Sequence, residues 1–359
     1  MKGNVQNLGL NDCQRIVFLD YLRTIACFMV IMVHSCEFFL IDGDKIAINN
    51  AEDGLWVSII DSALRPSVPL FVMDSAYLLL PLRQPASTFF RRRFVRAVIP
   101  FVAWSMLYAI LPPLFAGMDI NALTASLLQL LTNFNANSGH LWFIYMLIGL
   151  YLFMPVISPW LEKVSRRGEE MFLCIWLFTS FWHYLKLLSP ELYGECYWNE
   201  FHVFWYFSGF IGYMVLAHYI RTYIDWSLSK SLAIGIPLYI VGYLITARIW
   251  YCRMFSVETL QQLELSWRFC NINVIMMTTG LFIMMKPVSK PSGFIREVSR
   301  LSYGIYLMHI FVLGAAYWLL MGTINTPITI LLTGFVTFGF CCILTRFASY
   351  LPFSKYLIG

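Results

Sequence analysis

Charge is what this sequence has least of. Only 13% of its 359 residues are Asp, Glu, Lys or Arg, against roughly 25% in a soluble globular domain. Hydrophobic residues make up 59%. No part of the chain is polar enough to form a water-exposed domain, and the loops between apolar runs are too short to hide one. The nine cysteines include no C-x-x-C pair and no Cys/His spacing of a metal site, so no metal is expected. A P-loop, a GxSxG elbow, a paired-carboxylate motif and a convincing internal repeat are missing too. Most cysteines, such as Cys27, Cys174, Cys341 and Cys342, fall in apolar runs and read as packing residues. Cys196 and Cys252 fall in outer loops, where a bridge is compatible with an oxidising compartment. What is left is an all-α, polytopic integral membrane protein, with residues 1–359 forming a single membrane domain.

Hydropathy predicts ten spans, near 16–40, 56–80, 97–116, 140–160, 171–188, 204–220, 231–250, 268–286, 301–320 and 327–350. A cytoplasmic N-terminus then puts Arg83, the Arg91-Arg92-Arg93 run with Arg96, Arg166, Arg167, Arg221, Lys286, Lys290 and Arg300 inside. Lys45, Lys186, Arg248, Arg253 and Arg268 remain at the outer margins. That is the asymmetry of the positive-inside rule, and it puts both termini in the cytoplasm. The net charge of +5 is thereby a topology signal and requires no nucleic-acid partner. The first span is too long, and too rich in ionisable groups, for a cleaved signal peptide.

That first span, Ile16 to Leu40, carries Asp20, Arg23, His34 and Glu37. Ionisable groups at membrane depth are costly and point to function. Arg23 and His34 lie eleven residues apart, about three helical turns, hence on nearly one face and roughly 16 Å apart along the axis. Asp20 and Glu37 are same-face neighbours at three residues. A structural alternative has Arg23 snorkelling to the interface beside Asp20, and His34 making an interhelical hydrogen bond.

Further along, Pro66 and Pro69 predict a kinked or broken second span, of the kind tolerated where a helix is buried or lines a cavity. Within it Asp61 and Arg65 are spaced to pair, and Asp74 and Ser75 add polarity. The Leu82–Pro100 loop holds five arginines, whose planar forks suit phosphate oxygens; a positive-inside anchor or an anionic-lipid patch would use the same residues. N-S-G-H-L-W-F at the head of span four brings His140, with Trp142 and Phe143 in positions typical of an interfacial aromatic belt. The acidic, aromatic loop after span five offers Tyr193, Tyr197 and Trp198 as stacking faces for sugar rings, and Glu191, Glu195 and Glu200 as hydroxyl acceptors. Span nine places Ser302, Tyr306 and His309 on one polar face.

Four of these segments together resemble the membrane acyltransferase 3 family, and within it the surface-polysaccharide O-acetyltransferases. They are L-D-Y-L-R-T-I-A with the Arg23-x10-His34 spacing, S-V-P-L-F-V-M-D-S-A-Y, the Arg93-x-x-Arg96 pair before Pro100, and S-Y-G-I-Y-L-M-H. His140-x-Trp142-Phe143 adds a similar entry to span four. The chain departs from the pattern at Ser75-Ala76, where Ser-Gly is usual, and at Asp74, where an apolar residue is usual. The resemblance implies a bacterial inner-membrane enzyme that transfers an acyl group, foremost acetyl from acetyl-CoA, to a hydroxyl of a glycan or lipid-linked saccharide among membrane lipids. It implies His34 as general base, Glu37 as its orienting carboxylate, and Arg23 and Arg65 as donor or oxyanion contacts. His309 is a further catalytic candidate. Arg92, Arg93 and Arg96 would hold coenzyme A phosphates, while His140, Trp142, Tyr306 and Ser75 would meet the substrate. A polytopic transporter is the alternative that buried charges and broken helices allow.

Overall fold

The computed structural model describes residues 15–43, 45–115, 120–130, 136–189, 205–322 and 324–359. These residues are helical almost throughout. In chain order the helices are α1 (Val17–Glu37), α2 (Ala51–Leu64), α3 (Ser67–Leu79), α4 (Ala86–Phe115), α5 (Ile120–Gln129), α6 (Trp142–Lys163) and α7 (Arg166–Thr179). They continue with α8 (Trp182–Leu188), α9 (Ile211–Tyr223), α10 (Leu228–Arg253), the short α11 (Leu260–Leu263), α12 (Ile272–Met285), α13 (Gly293–Leu320) and α14 (Thr326–Ala348). A two-residue hairpin pairing Ile41 with Ile46 and Asp42 with Lys45 follows α1.

Among the described residues eight helices are long and apolar enough to cross a membrane, or nine if the bent pair α7 and α8, 41° apart, counts as one. The expectation of ten spans changes in two places. Segment 171–188 becomes that bent pair, and segment 204–220 yields only the 13-residue α9. The expected loop over Leu82–Pro100 is also corrected: from Ala86 onward it is the first part of the 30-residue α4. Its arginines depress hydropathy but are good helix formers, so the helix extends beyond its apolar portion. Tyr193, Tyr197, Trp198, Glu191, Glu195, Glu200 and Cys196 lie outside the described residues.

The break foreseen at the prolines is present. Asn50 caps α2 by accepting from the Asp53 amide at 2.9 Å. The helix stops at Leu64, and α3 begins after Pro66. Pro66 brings no N–H to the helical ladder, yet the two halves still make one 29-residue span. Helix α1 sits at the centre, packed on α2, α3, α13 and α14. It buries Leu22, Ala26, Ile31 and Cys36 completely. Helices α10 and α12 meet along a seam of small residues. A Cβ at Gly242 would lie 2.4 Å from the Asn273 carbonyl oxygen, and one at Gly280 2.5 Å from that of Gly235. Small residues let membrane helices approach backbone to backbone. Asn273 adds hydrogen bonds of 2.7 Å to Thr246 Oγ1 and 2.6 Å to the Ser266 carbonyl.

Candidate active site

Towards the C-terminal end of α1, three histidines from three different elements converge. His34 is on α1, His140 on the turn Ala136–Leu141 that leads into α6, and His309 on α13. Ring centroids are 5.1 Å apart for His34 and His309, 5.1 Å for His140 and His309, and 6.2 Å for His34 and His140. Helix α13 holds two of them in place from its own backbone and side chains. The His309 Nδ1 lies 2.5 Å from the Tyr306 carbonyl, and the Tyr306 hydroxyl donates to the His140 carbonyl at 2.5 Å. Since a carbonyl can only accept, His309 carries its proton on Nδ1, which leaves Nε2 as a lone-pair acceptor. That Nε2 and the Nε2 of His140 are buried with no hydrogen-bond partner among the described residues. Tyr108 closes the group from α4: it packs edge-on to His140 at 4.9 Å and donates to the Leu307 carbonyl at 2.9 Å.

His34 opens onto a cavity of about 310 Å³ whose walls include Glu37, Arg65, His140, Trp142, Glu264 and Tyr306. The His34 Nδ1 is 2.9 Å from Glu37 Oε2, a close charge contact without the alignment of a hydrogen bond; it favours the tautomer with the proton on Nδ1 and Nε2 as the basic nitrogen. Arg65 stands at the α2–α3 break. As its spacing predicts, it pairs with Asp61, at 2.5 Å. Its guanidinium also lies 3.8 Å above the Trp267 ring, a cation–π contact strengthened where water is excluded. Arg65 is buried and its Nε has no partner, so a desolvated cation with a spare donor faces the cavity. Such a group can hold developing negative charge at little reorganisation cost. Among the described residues no set of His, Cys, Asp and Glu side chains is arranged to hold a metal ion.

A second polar centre lies about 16 Å towards the N-terminus of α1. Arg23 pairs with Asp74 of α3, and its Nη1 is 3.4 Å from Ser299 Oγ on α13. Asp20 is engaged elsewhere, with Arg15 and with the Ser299 hydroxyl at 2.7 Å, so the alternative of Arg23 leaning on Asp20 does not hold. Tyr151 of α6 meets Ser75, and Arg23, Arg93 and Arg96 are near enough to act on its hydroxyl electrostatically. The Arg93 Nε is buried without a partner. Arg92 does not belong to this group: its Nη1 donates to Gln84 at 3.2 Å on the exposed side of α4. Arg92 is also a same-face neighbour of Arg96, four residues on, so what sets it apart is its side chain's turn towards Gln84.

The structure thus divides the expected site residues between two centres. His34, Glu37, Arg65, His140, Trp142 and Tyr306 meet at the histidine cavity, with His309 behind them. Arg23, Ser75, Arg93 and Arg96 meet at the centre nearer the N-terminus of α1, and Arg92 joins neither. Arg23 is too far from the histidines to share an oxyanion with Arg65. Sequence reading missed Glu264, Trp267, Tyr108, Tyr151 and Ser299. Their shared signal is a polar or amphipathic side chain at span depth, and only tertiary contact tells it apart from a belt residue. Asp74 was visible as a departure, and its partner Arg23 explains it.

A family model described as an acyltransferase domain matches residues 16–346. No curated protein and no solved structure matches the chain. The family match takes in all eleven residues assigned to the two centres and every helix that forms them. The chain belongs to the acyltransferase 3 family and is a membrane acyltransferase.

Proposed function

We propose that the protein moves an acyl group, foremost acetyl, from cytosolic acyl-CoA to a hydroxyl of a surface polysaccharide or lipid-linked sugar, in the inner membrane of a bacterium. Enterobacterial common antigen exemplifies the acceptor class. The observation that carries the reading is the orientation of His34. With Nδ1 against Glu37, its Nε2 is free to take a proton beside a buried arginine. An imidazole suits this role because it titrates near neutrality. In the reaction, His34 Nε2 accepts the proton of the acceptor hydroxyl as that oxygen bonds to the thioester carbonyl carbon. Arg65 stabilises the negative charge arising on the carbonyl oxygen. The carbon–sulfur bond breaks, and the proton leaves with the coenzyme A thiol. His140 and Tyr306 line the acceptor side, and His309 braces the His34 ring from behind.

Arg93 and Arg96 hold the donor phosphates at the inner mouth, consistent with the unpartnered Arg93 Nε and with a cluster richer in cations than in acids. Arg23 lies on the way from that mouth to the histidines. The donor's acyl-bearing arm spans the gap between the two centres, so donor and acceptor reach the reaction from opposite sides.

The test is to incubate purified protein with radiolabelled acetyl-CoA and a membrane glycan extract, using wild type and His34→Ala. Label passing to glycan in the wild type, and lost in the variant while donor binding persists, is the expected result. Undiminished transfer by His34→Ala would remove the histidine from the chemistry. A well-folded wild type that neither binds nor consumes acetyl-CoA would refute acetyl-CoA as donor.

A further inference from the structure

The residues that follow α14, Ser349–Gly359, are taken up by neither centre. Phe353 takes a left-handed φ of 69°, a conformation unfavourable for any residue with a side chain. Its own ring is 73% exposed, so packing of that ring does not require the turn. What the turn does is reverse the chain. The amides of Leu357 and Ile358 donate to the Ser354 carbonyl at 2.9 and 2.8 Å, and residues 357–359 come back onto α4 and α13. Ile358 is buried there, in a notch at Gly304: a Cβ at Gly304 would lie 2.7 Å from the Ile358 Cβ. The Trp104 indole of α4 donates to the Leu357 carbonyl at 2.9 Å.

These contacts fall on a weak point of α4. Pro100 has no N–H, so the Arg96 carbonyl, four residues back, lacks its helical donor. Between Ala86 and Ile99, Phe89 is the one buried residue, set edge-on to Tyr151 at 6.0 Å. The turns that carry Arg93 and Arg96 are therefore lightly packed, and they join the rest of α4 across a missing hydrogen bond. Elements held by few buried contacts open most readily, and proline is where a helix bends. Two groups brace this joint. The Tyr303 hydroxyl of α13 donates to the Ala97 carbonyl at 2.6 Å. A Cβ at Gly359 would lie 2.6 Å from the Tyr303 ring and 3.3 Å from the Arg96 carbonyl oxygen, so the returning chain lies against the very carbonyl that Pro100 leaves without its donor.

Resting on the reading of Arg93 and Arg96 as donor-phosphate contacts, we propose that Ser349–Gly359 is a strap that positions the donor helix. Ile358 is its anchor and a positioning residue for the reaction: it touches no substrate, and it holds the Arg93–Arg96 turn at the proline joint. With the strap docked, the two arginines are pre-set for the phosphates, and binding does not have to order them. With it undocked, donor affinity falls while the histidine cavity keeps its geometry, since the strap forms none of its walls.

The test compares wild type, Ile358→Asp, Pro100→Ala and the double variant in detergent micelles. Hydrogen exchange is read at the α4 amides of residues 90–99, with acetyl-CoA binding and acetyl transfer alongside. Ile358→Asp expels the anchor and should speed that exchange by about tenfold or more. It should raise the Kd and KM for acetyl-CoA by about tenfold and leave kcat within about twofold. Adding Pro100→Ala returns an N–H to the Arg96 carbonyl and stiffens the joint without the strap. Exchange and Kd should then return to within about threefold of wild type. A general packing defect from Ile358→Asp would not be repaired in this way. Ile358→Val, which keeps the anchor, should match wild type. Unchanged α4 exchange in Ile358→Asp would overturn the strap. Faster exchange with unchanged acetyl-CoA affinity would overturn its positioning role, and so would failure of Pro100→Ala to rescue. Exchange that responds as stated, with no acetyl-CoA bound even by wild type, would keep the strap at its joint and remove the donor-site reading.

Discussion

Asp74→Leu puts at this position the apolar residue that the resemblance to the family leads one to expect, and should nevertheless destabilise this protein. Asp74 is 2% exposed and Arg23 27%, so the mutation strands a cation rather than removing a harmless pair. Breaking a fully buried ion pair by deleting one partner costs about 3–5 kcal/mol. Arg23 keeps some access to water, and its next contact is Ser299 Oγ at 3.4 Å. A loss of about 2–3 kcal/mol is therefore the expected size, just below that range. Asp74→Asn, which keeps a hydrogen-bond acceptor and drops the charge, should lose roughly half as much. The double variant Arg23→Met/Asp74→Leu should recover most of the loss, because apolar replacements of similar volume remove the stranded charge. The assay is a double-mutant cycle on chemical unfolding in detergent micelles, with acetyl transfer measured in parallel. Transfer should stay low in the double variant even as stability returns, since Arg23 belongs to the donor route. A coupling below about 0.5 kcal/mol would refute the idea that this pair explains why Asp74 is tolerated at membrane depth.

The other predictions divide the two centres. Arg93→Gln and Arg96→Gln should each raise the KM for acetyl-CoA by about tenfold with little change in kcat, while Arg92→Gln, whose partner is Gln84 at the surface, should stay within about twofold of wild type; equal effects of all three in steady-state kinetics would dissolve the distinction. Glu37→Gln should lower kcat by about 10–100-fold and leave donor binding intact, because it loosens the tautomer of His34 rather than removing the base. Gly242→Val should cost about 1–3 kcal/mol by forcing α10 off the Asn273 carbonyl, readable as lower thermal stability in micelles; an unchanged melting curve would show that the seam tolerates separation.

Much of the architecture was legible because lipid is an unforgiving solvent: an apolar run must be a helix, and charge in such a run must have a reason. The Asp61–Arg65 pair and the proline break followed from spacing alone. Sequence reading failed where hydropathy and helicity part company. The arginines of Leu82–Pro100 are too polar for a span and too good at forming helix for a loop, and they became the first turns of α4. At 204–220 the apolar run is real but the described helix is short. The site was legible residue by residue but not as a site. His34, His140 and His309 were each visible, whereas their meeting at about 5 Å between ring centroids depends on how α1, α6 and α13 pack. For Arg23, the local rule pointed to Asp20, three residues away, and tertiary structure supplied Asp74, fifty-one residues on.

The shortness of α9 has a consequence for the membrane around it. Thirteen residues rise only about 20 Å, against about 30 Å of hydrocarbon. Its C-terminal end is tied down, because Arg221 donates to the carbonyls of Tyr77 at 2.7 Å and Leu80 at 3.1 Å. The shortfall of about 10 Å therefore falls at its N-terminal end, where Phe210 and Ile211 border a cavity of about 1060 Å³. A bilayer meets a short hydrophobic element by thinning, which would bring headgroups and water down to the level of Trp142 on this flank alone. A polar group approaching on this flank would then face a membrane already indented towards the histidines.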